Sequence, residues 1–127
     1  MNPKSKIMLA VVVGAALGAA TVQGLYAQAK PKAYTVSELE LLDAAANAAF
    51  VPLVQAAQKA AGGHTFRTGG GKIVSMEGEA PKRVAITEWD SLEQAEAFYK
   101  STAWKDLTPQ REKAVKTIRR YAVEAMN

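Results

Sequence analysis

The chain has no cysteine, so disulfide stapling and cysteine-ligated zinc are closed to it. It has a single histidine, His64, which is too few for a structural metal site and leaves one imidazole for proton transfer. No Gly-x-Ser-x-Gly is present, which disfavours a serine-type hydrolase. No apolar run approaches the roughly 20 residues that a membrane-spanning helix requires. No repeat or low-complexity tract divides the chain.

What is there begins at the N-terminus. Lys4 and Lys6 precede an apolar block from Ile7 to Ala20, and the stretch ends in Ala27-Gln28-Ala29. A basic start, a short apolar core and a small-x-small site form the grammar of a secretory signal, with cleavage expected after Ala29. No twin-Arg pair precedes the block, which points to the general export route. Without a cysteine at the new N-terminus a lipoprotein is excluded. The expected mature protein is Lys30–Asn127, roughly a hundred residues in one domain, periplasmic or secreted and not held at the membrane. Lys4 and Lys6 are the only charges in the signal, so the formal +4 falls by two on cleavage. So small a charge argues against nucleic acid as a partner. Export lowers the prospect of a soluble nicotinamide cofactor, and no cofactor is expected.

The mature segment reads as alternating strands and helices. Ala33–Leu41 has strand propensity in Tyr34, Thr35 and Val36. Asp43 is placed to cap a helix reaching about Ala61, with Phe50, Leu53, Val54, Ala57 and Ala61 as its buried stripe. Pro52 should kink that helix, and Gly62-Gly63 should end it. His64–Thr68 and Ile73–Glu77 read as a hairpin turned by Gly69-Gly70-Gly71. Arg83–Trp89 is a strand, and Asp90-Ser91-Leu92-Glu93 a capping box opening a helix through Ala95 and Phe98. Ser101-Thr102 interrupts it, Trp104 and Leu107 sit on a short turn, and Thr108-Pro109 restarts helix. A last strand is expected over Ile118–Glu124.

That order predicts an α+β fold, the ferredoxin-like split βαβ, with a four-stranded antiparallel sheet plus hairpin and both long helices on one face. The uncovered face carries apolar side chains, and two such faces packed together would make a homodimer, a dimeric α+β barrel.

The sequence resembles the domain of unknown function 1330 family, small proteins of the dimeric α+β barrel superfamily. The residues that carry the likeness are Tyr34–Glu40, Gly62–Gly70, Glu77-Gly78, Pro81–Val84, Glu88–Ser91, Phe98–Ser101, Trp104 and Leu107–Arg111. Two positions depart from the family pattern: His64 stands where Arg or Lys is usual, and Trp104 where the aromatic is often Tyr. The resemblance implies the fold and the dimer, and it implies little about activity.

Candidate chemistry is sparse. Gly69-Gly70-Gly71-Lys72 is followed by Ile73, which fits a turn rather than a phosphate loop. His64 suits a general acid or base, or an ordinary strand-end hydrogen bond. Arg67 alternates with Phe66; placing Phe66 on the helix side sends Arg67 to the dimer cavity or rim, to clamp an anion or to pair with Glu38 or Glu88. His64 and Arg67 are thus the catalytic candidates. Arg67, Tyr99, Trp104 and Arg111 are the ligand-binding candidates, with core packing the competing role for the two aromatics. Lys113, Lys116, Arg119 and Arg120 read as a solvated face. No metal site is assigned. The first functional expectation is a small-ligand-binding or structural dimer whose ligand is organic or anionic. The alternative is a cofactor-independent enzyme, monooxygenase- or isomerase-like, by analogy with the superfamily. A protein-interaction module ranks last.

Overall fold

The computed structural model describes residues 30–126, and the expected signal segment, Met1–Ala29, lies outside the described residues. From Pro31 the chain forms one compact unit. Its elements are β1 (Ala33–Leu41), α1 (Ala44–Ala60), β2 (His64–Thr65), β3 (Arg83–Trp89), α2 (Leu92–Lys100), α3 (Thr102–Lys105), α4 (Thr108–Ala114) and β4 (Val115–Glu124). The sheet order is β2-β3-β1-β4, antiparallel throughout. This is the α+β ferredoxin-like arrangement, with helices packed on one face.

Local chemistry sets the boundaries. Asp43 caps α1 by accepting from the Ala46 amide at 2.7 Å, and Gly62 ends it at φ +91°, where a side chain would be strained. Pro52 lies within an unbroken α1; Pro52 and Ala48 are exposed, so water can reach the carbonyl its ring leaves unpaired. The buried stripe of α1 differs from the expected one. Leu53 is 45% exposed, and Gln58, at 7%, takes an inward position because its Oε1 accepts from Thr65 Oγ1 at 2.7 Å.

Three further expectations are corrected. The hairpin is absent: β2 stops at Thr65, and residues 73–77 form no strand. One backbone bond, Phe66 N to Ile86 O at 2.9 Å, and the Thr68 hydroxyl on Val84 O at 2.8 Å, carry the chain along β3 before it turns away. The cap of α2 is Ser91, which accepts from the Gln94 amide, while Gln94 Oε1 accepts from the Asp90 amide; the box is shifted by one residue because Gln94 can also donate to Ala61 O at the end of α1. Finally, β4 starts at Val115 rather than Ile118, and a bulge against Glu38/Leu39 lets the longer strand keep its pairing.

Two apolar clusters hold the helices to the sheet. Trp89, Ala95, Phe98 and Trp104 form one, and Phe50, Ala114 and Val115 the other; Val54 of α1 touches both. The register places Val36 opposite both Ile86 and Tyr121, and Tyr34 opposite Val123, on the face that carries no helix.

Candidate functional site

The helix-facing side of the sheet is small and polar. Thr35, Ser37 and Thr87 are all buried there, beside Ala33 and Ala85. Each buried hydroxyl has a partner: Thr35 accepts from Trp89 Nε1 at 3.1 Å and lies 3.3 Å from the Tyr99 hydroxyl, while Thr87 lies 3.2 Å from Thr65 Oγ1. Such short side chains leave space beneath α1, and a cavity of ≈ 780 Å³ opens there, lined by Phe50 and Val54 above and Ser37, Leu39 and Ala85 below. That volume is within the range of small-molecule sites. The cavity thus sits between helix and sheet, on the side away from the open face.

One end is built from α2, α3 and β4. Ser101 ends α2 and caps α3 by accepting from the Trp104 amide, which fixes the single turn that buries Trp104. Tyr99 packs edge-on to Trp104 with centroids 4.9 Å apart. Arg120 stands level with Ser37 in the sheet register, and its Nε donates to Ser37 Oγ at 2.8 Å. Its guanidinium carbon lies 4.6 Å from the Trp104 centroid and 5.4 Å from that of Tyr99. Arg111, from α4, approaches the same indole at 4.5 Å. Burial holds the Arg120 guanidinium below the usual arginine value, and the nearby Arg111 charge pushes the same way against an opposing influence from Tyr99. Among the described residues neither arginine forms an ion pair with a carboxylate.

The other end is more open. Arg67 and Arg83 line it, with Lys59 at the end of α1 and His64 at the start of β2. Phe66 is level with Ile86, and its ring meets His64 edge-on at 5.5 Å, which puts His64 and Phe66 on the open face. Arg67 therefore falls beside Ala85 on the helix side, the reverse of the expected orientation. It pairs with neither expected carboxylate: Arg119 donates to Glu38 at 2.9 Å and Lys32 lies 3.5 Å from Glu88. Four cations line the cavity, and among the described residues no carboxylate does.

A family model for a domain of unknown function, DUF1330, matches residues 32–126. The chain belongs to the DUF1330 family. A protein of unknown function from Rhodopseudomonas palustris, solved as a structural genomics target, is 16% identical to it, with a TM-score of 0.61 over 84% of this chain and 92% of that one. The methylated form of that protein gives 15% identity and a TM-score of 0.60, over 84% and 90% of the two chains. A candidate antibiotic biosynthesis monooxygenase from Chloroflexus aurantiacus follows at 12% identity and a TM-score of 0.45, over 76% and 94%. No curated protein matches the chain significantly. At such identities the likeness is one of fold.

The structure of this DUF1330 domain gathers Tyr99, Trp104 and Arg111 into one cluster and sets Arg67 and His64 at the opposite end. Two residues were missed as site components. Arg120 was grouped with the solvated basic face; Lys113, Lys116 and Arg119 do stay exposed, but Arg120 turns inward onto Trp104. Arg83 enters the sequence reading as a strand start and as part of the family likeness, with no site role. The alternation Ala33-x-Thr35-x-Ser37 was the available signal, because a strand face of small residues leaves room that something else must fill.

Proposed function

We propose that this DUF1330 domain binds a small organic anion in the cavity between α1 and the sheet. The observation that carries the reading is Arg120: a half-buried guanidinium held by Ser37, Tyr99 and Trp104, with no carboxylate to neutralise it among the described residues. A desolvated charge left without a counter-ion is costly, and an anionic ligand would relieve that cost. Phe50, Val54 and Leu39 give the rest of the ligand an apolar surround. The ligand meets its site in the periplasm or outside the cell if the N-terminal segment acts as a signal, and the domain works as a homodimer joined through its open sheet face.

The test is isothermal titration calorimetry with straight-chain monocarboxylates of four to ten carbons, on wild type and Arg120→Gln. Losing one charge-assisted hydrogen bond costs about 1.5–3 kcal/mol, so the variant should bind roughly tenfold more weakly or worse. Wild type should also melt higher with ligand, by about 2.7 kcal/mol of stability at a hundredfold excess over Kd. Equal affinities for the two proteins, or no binding by wild type, would overturn the proposal. Steady turnover of a bound acid would replace a binding role with an enzymatic one.

A further inference from the structure

The cavity has two cationic ends, and one row of the sheet leads from one to the other. Phe66 is level with Ile86 and Thr68 with Val84, so Arg67 stands beside Ala85; Ala85 is paired with Ser37, and Ser37 with Arg120. The row therefore runs Ala85, Ser37, Arg120 across β3, β1 and β4, and Arg67, in the turn that follows β2, stands beside its Ala85 end. Ala85 and Ser37 are small, and the arginines on either side of them line the same cavity. Strands lie about 4.8 Å apart, so the Ala85 and Arg120 backbones are separated by about 10 Å, and Arg67 lies farther out still. Arg83 reinforces the Arg67 end, one step along β3 on the same face. Among the described residues neither Arg67 nor Arg83 forms an ion pair. Leu39, Phe50, Val54 and Ala85 give the cavity an apolar surface, and the Asn47, Gln55 and Gln58 amides that also line it carry no charge.

From this juxtaposition we infer that the ligand is a two-ended organic anion with an apolar middle, such as a dicarboxylate or a carboxylate with a distal phosphate. This rests on the anion-binding reading above and names the ligand class for it. One charge meets Arg120 at the enclosed end, where Ser37 and Trp104 fix the guanidinium. The other meets Arg67 and Arg83 at the open end. A ligand with one charge would satisfy Arg120 and leave the second pair in water, which an exposed Arg67 tolerates. The second contact therefore adds length selectivity: a chain too short cannot reach both ends, and one too long must buckle against Phe50.

The experiment is calorimetric titration with unbranched dicarboxylates of four to ten carbons, each beside the monocarboxylate of equal length, on wild type and on the double variant Arg67→Gln, Arg83→Gln. The expected result is a length optimum among the dicarboxylates, with the best of them about tenfold tighter than its monocarboxylate partner. The double variant should lose that advantage, so that a dicarboxylate and a monocarboxylate of equal length bind it alike. Arg67 is exposed and Arg83 partly so, and circular dichroism will report whether the variant is folded; Arg67→Gln alone, with a smaller loss of the same kind, serves if it is not. Monocarboxylates binding as tightly as dicarboxylates at every length would overturn the two-ended ligand and leave the anion site standing. No binding of either series would overturn both.

Discussion

Gly63 shows how closely single residues are fitted here. A Cβ on Gly63 would lie 2.8 Å from the Trp89 ring and 3.0 Å from Thr87 Cγ2. Trp89 is 1% exposed and tied to Thr35, so it has nowhere to move. Gly63→Ala should destabilise the domain by about 1–3 kcal/mol, measured by urea unfolding with an unchanged m-value. Arg120 makes the opposite point. On sequence it was one cation among four, and nothing in the spacing of Lys113, Lys116, Arg119 and Arg120 tells which one turns inward. Burial followed from the register of β4 against Ser37, which pairs residues 83 positions apart. Arg67 was legible as a ligand candidate but its direction was not. Alternation fixes that Phe66 and Arg67 point oppositely, and hydrophobicity then chose wrongly, because the helix side of this sheet is lined with hydroxyls and arginines.

At the scale of elements, Ser101 is the joint between α2 and α3. Its Oγ donates to Phe98 O at 2.6 Å and accepts from the Trp104 amide at 3.3 Å, so one hydroxyl closes one helix and opens the next. Ser101→Ala should cost about 1 kcal/mol in thermal or urea unfolding, and it should loosen Trp104 enough to weaken anion binding. The joint was legible, as were β1, β3 and the span of α1, because each carries a strong period or a recognisable cap. The supposed strand at Ile73–Glu77 was not real despite its β-branched residues. Strand propensity is realised only against a partner, and the partner this hairpin needs is extended over His64–Thr65 alone before the chain turns at 67–70. Exposure of Val74 at 61% and Met76 at 88% agrees with a segment that packs against little.

At the scale of the molecule, the helix-free sheet face is an apolar surface that no element of the described residues covers. Tyr121 and Val123 are 47% and 52% exposed, and Val36 and Ile86 flank them in register. We expect a two-fold dimer joined through this face, seen as twice the chain mass by light scattering after size exclusion. Ile86→Glu would place a charge at its centre and should yield a folded monomer; a wild type that is monomeric at high concentration would refute the dimer. Because the cavity lies on the opposite side of the sheet, that monomer should still bind anions. The two tryptophans, finally, divide their optical duties. Trp89 is sealed in the core, so its emission serves as a steady internal reference, whereas Trp104 lines the cavity with the Arg120 guanidinium against its ring. Any ligand that draws Arg120 toward itself must change what Trp104 sees, and the domain therefore carries its own dye-free gauge of occupancy.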